Sequence, residues 1–281
     1  MDDNKTFDPK PTKYPYTDLT DKHYLKVKKK RDIVFDKDYP YVDETRKFRI
    51  KRFFTRVLLR CIVFPMARIK LGLKIVGKEN LKRHKDELKR GVVSVCNHVH
   101  MWDYIAIMAA IKPVRPHVLA WSQNVTGESG GLVRLVGGVP IPDSGIEALR
   151  AFDSAIKKVI DGGGWIHVCA EGSMWEYYRP IRPFKKGFAS IAVKSGKPVL
   201  PMAFSYRKPT WVRKKIFGQL ARLTLNIGEP IYPDETLPTA KRITDLTVRA
   251  HSKVCELAGF KEGENIYAPI YDCNSRRIDY Y

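Results

Sequence analysis

Apolar positions along this chain change period repeatedly, and the changes mark its elements. Val92-Val93-Ser94-Val95-Cys96 is a mostly β-branched run behind Gly91, the pattern of a buried strand. At Asn97 the run turns polar, and 104–111 then reads as an apolar helix. Similar short runs predict strands at 74–77, 117–120, 139–142, 165–170, 199–204 and 221–227. Between them, 81–89, 102–111, 144–160, 184–195 and 240–257 carry helical spacing. Ser144 with Glu147 three residues on has the form of a capping box, and Gly162-Gly163-Gly164 stops that helix. Strands alternating with helices predict an α/β fold with a mostly parallel central sheet flanked by helices. No internal repeat is visible.

The ends have a different rhythm. Residues 1–46 mix charge with Tyr and Pro and lack apolar periodicity, which predicts a polar extended arm. In 47–70, apolar Ile50, Phe53, Phe54, Val57, Leu58, Ile62 and Ile69 recur at helical steps among Arg and Lys, with no acidic residue. That pattern predicts an amphipathic basic helix lying on an anionic membrane surface, kinked or ended by Pro65. Its uncharged stretch, 61–67, is far short of the roughly 20 residues needed to cross a bilayer. The protein is therefore expected at the cytoplasmic face of a membrane, peripheral or monotopic, with no transmembrane span. Residues 207–217, basic with aromatics, read either as a second membrane-contact loop or as a solvated loop. An α/β domain over 71–260 and a C-terminal tail over 261–281 complete the division.

Composition sharpens this in two ways. Lys and Arg number 51 against 30 Asp and Glu, a formal net charge of +21, which favours polyanionic partners. The five cysteines (Cys61, Cys96, Cys169, Cys255, Cys273) are dispersed with no CxxC pair, as expected of reduced thiols rather than a disulfide framework.

The chemistry sits where the 92–96 strand ends. His98 and Asp103 lie five positions apart across a strand-to-helix turn. An Asp there can hold the tautomer of the imidazole, leaving the other ring nitrogen to take a proton from a hydroxyl. Two later segments follow: Val168-Cys169-Ala170-Glu171-Gly172-Ser173 and 197–203. With these three blocks in this order, the chain over roughly 70–230 resembles the PlsC-like glycerolipid acyltransferases, the 1-acylglycerol-3-phosphate acyltransferase superfamily. The resemblance implies transfer of a fatty acyl group from acyl-CoA or acyl carrier protein to a glycerolipid hydroxyl, on 1-acylglycerol-3-phosphate or another lysophospholipid-type acceptor. It implies His98 as general base and Asp103 as its orienting partner. The candidate substrate-binding residues are Asn97, Glu171, Gly172, Ser173, Arg182 and Lys185. A thioester is already activated, so neither cofactor nor metal is expected. Direct attack by the acceptor hydroxyl, rather than a covalent acyl-enzyme, is what the resemblance implies.

The chain departs from that family at two cations. Met174 stands where the third block carries Arg, and 138–144 lacks the Arg of the second block. Arg179, Arg182, Lys185 and Lys186 are near enough in sequence to replace them, and the acceptor's head group stays open.

Two other readings compete. His98-Val99-His100 with Asp103 suggests a metal-dependent hydrolase, but Tyr104 occupies the last His of the metallo-β-lactamase spacing, and Asp103 comes one residue late. A non-enzymatic basic protein on membrane or nucleic acid fits the charge. It leaves the three blocks unexplained, and no RNA-recognition, KH or zinc-finger pattern is present, so nucleic acid is not expected as a partner.

Overall fold

The computed structural model describes residues 7–9, 27–28, 31–143 and 145–265 of the 281. Ser144, and with it the expected cap, lies outside them, as do Cys273 and the Lys13-Tyr14-Pro15-Tyr16 run. Three helical stretches run end to end: α1 (Arg46–Leu58), a π-helical turn (Leu59–Val63) and α2 (Phe64–Leu71). Thr45 caps α1, its side chain accepting from Phe48 N at 3.4 Å. Gly72 ends α2 at φ 55°, a left-handed conformation that suits glycine at a helix C-terminus.

Thereafter strands and helices alternate. In order they are β1 (Lys74–Val76), α3 (Lys78–Arg83), α4 (Lys85–Leu88), β2 (Val92–Cys96), α5 (Asp103–Ile111), β3 (His117–Trp121), α6 (Ser122–Thr126) and α7 (Gly130–Leu135). There follow β4 (Gly138–Ile141), α8 (Ile146–Asp161), β5 (Trp165–Cys169), α9 (Gly187–Ser195), β6 (Val199–Arg207), α10 (Trp211–Phe217), β7 (Arg222–Ile227) and α11 (Thr239–Leu257). The strands form one seven-stranded sheet in the order β1-β7-β6-β2-β5-β3-β4. Every neighbouring pair is parallel except β6 with β7. The largely parallel α/β sheet expected from the alternation is what forms.

Strand β2 is fully buried because both faces of the sheet are covered. Val93 and Val95 point into one core with Phe152 and Ile156 of α8, Phe188 of α9 and Leu246 of α11. Val92 and Cys96 point the other way, toward Ala106 and Ile107 of α5 and Ala67 and Leu71 of α2. Helix α8 shows how sequence spacing becomes burial. Phe152, Ile156 and Ile160 recur every four residues and are buried, each stabilising the fold by roughly 1.5–3 kcal/mol.

Some elements depart from the sequence expectation. The segment read as a loop over 207–217 contains α10, because Thr210 caps it by accepting from Arg213 N at 3.4 Å. The apolar segment between glycines at 130–138 forms α7, and the 81–89 helix is two short helices that meet at His84. The helix over 47–70 continues past Pro65 through its π-helical turn. Where the arm is described, part of it is packed. Tyr41 is buried with its ring edge against Phe152 at 5.7 Å, and Arg134 donates to the Pro40 and Tyr41 carbonyls. Among the described residues, no helix is long and apolar enough to cross a membrane.

Candidate active site

The C-terminal ends of β2 and β5 lie side by side, with Cys96 level with Cys169. The segments that leave them are stitched together: Trp175 N donates to the His98 carbonyl at 3.1 Å and Tyr177 N to the Val99 carbonyl at 2.9 Å. Tyr177 adopts φ 55°, a conformation that costs a non-glycine residue about 1–3 kcal/mol. Its surroundings hold it there, with its ring against His100 and Tyr206.

Within this junction, Asp103 at the first turn of α5 is almost fully buried, and its Oδ2 accepts three hydrogen bonds. They come from His98 Nδ1 at 3.0 Å, Val99 N at 2.7 Å and His100 N at 3.0 Å. The bond from Nδ1 fixes the tautomer and orientation of His98, whose side chain stays 26% exposed. Nε2 is the ring nitrogen that Asp103 does not hold. Burial works against a charge on His98, but a Cys169 thiolate and Asp103 favour it, raising its pKa to about 10. Cys169 is pulled well below the usual thiol range by the Cys96 hydrogen bond, against burial, and by the positive charge of His98.

Beneath the dyad lies a second ionic pair. Glu171 Oε2 accepts from His98 N at 2.9 Å and from Arg182 Nη2 at 3.2 Å, while Oε1 accepts from Arg182 N at 2.8 Å. Arg182 also donates through Nη1 to Ser173 Oγ at 2.9 Å and stacks on Trp175 at 4.5 Å. Burial raises the Glu171 pKa, although Arg182 and the two backbone N–H groups pull it down. Both side chains are only 2% exposed, so this ion pair props the backbone of His98 from below.

The expected substrate-binding residues separate in space. Glu171, Ser173 and Arg182 form the buried brace. Asn97 is buried too, with both ends of its amide on Phe204: Oδ1 accepts from N at 2.8 Å and Nδ2 donates to O at 3.0 Å. It locks β2 to β6. Gly172 is exposed at φ 82°, and a Cβ there would come within 2.8 Å of Lys185 Cε. Lys185 is exposed beside it, the cation of this set that the structure brings to the surface of the junction. Met174, in place of the family's Arg, is buried.

His100 is packed away, its Nδ1 accepting from Trp102 N at 3.0 Å and its pKa lowered by burial. His117 is paired with Arg52 at 3.2 Å. Among the described residues, His98, His100 and Asp103 do not bring ligand atoms together as a metal trio; Cys96, His167 and Cys169 do. Sequence reading took the two thiols for core residues. The signal available was the His-x-Cys pair of β5, but only the strand register sets Cys96 beside it.

The family described as Acyltransferase matches residues 72–205, which holds every residue of this junction. The crystal structure of the 1-acyl-sn-glycerophosphate acyltransferase PlsC from Thermotoga maritima is similar in fold, with a TM-score of 0.50 and 22% identity. The match covers 79% of this chain and 86% of that one. Comparison with curated proteins gives no match.

Proposed function

We propose that the chain is a PlsC-like glycerolipid acyltransferase, a reading supported by the family match and the similar fold, and that it moves a fatty acyl group from an acyl-CoA or acyl-carrier-protein thioester to a lysophospholipid hydroxyl at a membrane surface. The observation that carries the mechanism is Asp103 Oδ2, which orients His98 at 3.0 Å while the adjoining backbone N–H groups hold it still. In its neutral form the imidazole can act as a base. His98 Nε2 takes the proton of the acceptor hydroxyl as its oxygen attacks the thioester carbonyl. The tetrahedral intermediate collapses, the carbon–sulfur bond breaks, and the leaving thiolate recovers that proton from His98. A positioned base of this kind contributes about 10²–10⁴-fold.

Recognition of the acceptor rests on this chain's own cations. Arg182 is committed to Glu171 and Ser173, whereas Lys185 lies exposed beside Gly172 and is suited to an anionic head group. For the membrane, the support is exposure. Phe53, Phe54, Ile62 and Ile69 are each more than half exposed on the α1–α2 stretch, and Trp211 and Ile216 of α10 are about 70% exposed among Arg213, Lys214 and Lys215. Apolar side chains flanked by basic ones suit the headgroup boundary of an anionic leaflet.

The test is transfer of a labelled acyl group, from CoA or carrier protein, to a panel of glycerol phosphate, 1-acylglycerol phosphate, other lysophospholipids and a glycolipid. We expect product from the native chain and a loss of about 10²–10⁴-fold in His98→Ala with the fold intact. Full activity in that variant, or no transfer to any acceptor from either donor, overturns the reading.

A further inference from the structure

Beside the dyad, on the sheet face covered by α5, three soft ligands meet. Cys96 and Cys169 end adjacent parallel strands at the same level, and His167 precedes Cys169 by two residues, on the same face. His167 Nε2 lies 3.4 Å from Cys96 Sγ and 3.9 Å from Cys169 Sγ, and the three donor atoms all lie within 4.8 Å of one another. A tetrahedral zinc ion with Zn–S of about 2.3 Å and Zn–N of about 2.0–2.1 Å has S···N edges of about 3.6 Å and an S···S edge of about 3.8 Å. The two observed S···N separations lie on either side of the S···N edge.

The imidazole is also held as a ligand would be. His167 is buried, and its Nδ1 is bonded to Ser94 Oγ at 2.8 Å, which accepts the Trp165 indole N–H at 2.6 Å. Tyr104 stacks over the ring at 6.1 Å. A fixed Nδ1 leaves Nε2 aimed between the sulfurs, the arrangement that orients metal-binding histidines. The half-buried Cys169 and the partly exposed His98 offer a route in from the substrate side.

We propose that Cys96, His167 and Cys169 form a binding site for a thiophilic cation of the zinc class, and that the bound ion stands against His98 and suppresses acyl transfer. The binding half is independent of the activity; the inhibitory half rests on the function proposed above. Binding displaces thiol protons and leaves a cation at the end of β2, two residues before His98 in the chain.

The experiment takes the full chain, reduced and stripped with chelator, and titrates it with Co²⁺ as a spectroscopic probe and then with Zn²⁺ in competition. We expect stoichiometric binding with the intense visible bands of tetrahedral cobalt and a thiolate charge-transfer band. Affinity should fall by about 100-fold or more in both Cys96→Ala and Cys169→Ser, taking the upper end of what loss of a ligand-orienting partner costs as a floor. Circular dichroism should report both variants as folded, and Cys61→Ser, altered at an exposed thiol, should bind as the native chain does. Absence of the cobalt spectrum overturns the site, as does its survival in a folded Cys169→Ser protein or its loss in Cys61→Ser. In the transfer assay, zinc should inhibit and chelator should restore the rate. Cobalt binding without acyl transfer from any donor would retire the function and leave the site standing. Transfer indifferent to bound zinc would retire the inhibitory half.

Discussion

Asp103 Oδ2 gathers three N–H donors, two of them from backbone, so the carboxylate builds the turn and orients the histidine with the same oxygen. Both partners lie within one short stretch, and for that reason His98 and Asp103 were legible as a pair from spacing alone. Glu171 was legible as a candidate, but its task was not. Its bonds to His98 N and Arg182 cross 73 and 11 residues, and no local pattern encodes which backbone a carboxylate reaches. The geometry carries a consequence for stability. In Glu171→Gln the Arg182 guanidinium loses its counter-charge while remaining buried, and removing one partner of a buried pair costs about 3–5 kcal/mol. Urea unfolding should record a loss of that order, together with weaker acyl transfer, because the one remaining oxygen cannot serve both His98 N and Arg182 N as the two carboxylate oxygens do. A loss below about 1 kcal/mol would show that Arg182 is not held by this pair. The two thiols beside His167 were hidden for the same kind of reason: Cys96 and Cys169 read as strand interior until register aligns them.

Among the elements, the helical stretch over Arg46–Leu71 shows how a chain accommodates a proline inside it. Pro65 lacks an N–H, and its ring crowds the carbonyl four residues back, so it was expected to kink or end the helix. A π-helical turn over Leu59–Val63 lies just ahead of the proline, and α-helix resumes at Phe64. Arg52 ties α1 to the sheet by donating to His117 Nε2 at 3.2 Å, a bond that requires neutral imidazole at that nitrogen. Burial, followed by the charges of Arg52, Arg56 and Arg134, depresses the His117 pKa from 6.5 to about 3. The unfolded chain therefore takes up this proton first. The stability contributed by His117 is complete above about pH 6.5 and is lost as the pH falls from there toward 3. His117→Gln keeps an acceptor for Arg52 and does not titrate. Denaturant midpoints measured across this range should fall less steeply for the variant than for the native chain; parallel curves would refute the assignment.

For the whole molecule, a net charge of +21 and a set of exposed apolar side chains on basic helices act together. In the membrane contact proposed above, charge would draw the chain to an anionic leaflet from a distance, and apolar contact would hold it at short range. The two terms separate by experiment. Phe53→Asp with Phe54→Asp should release the protein from anionic vesicles in a sedimentation assay. Raising the salt should weaken native binding without abolishing it. Vesicle binding unchanged by the double variant would place the membrane contact elsewhere. The sheet order was not legible in the sequence. Alternation predicted a parallel sheet, but nothing local says that β6 pairs with β2 or that β7 turns antiparallel. That order has a bearing on synthesis. The strand ending at the base lies mid-sheet, and the Asn97–Phe204 lock that fastens it to β6 spans 107 residues. At about 5–20 residues per second, a ribosome takes roughly 5–20 s to deliver that partner. Through that interval Val92–Cys96 hangs from the nascent chain as an apolar strand with at least one unpaired edge, the type of segment that chaperones shield and that aggregates if they do not.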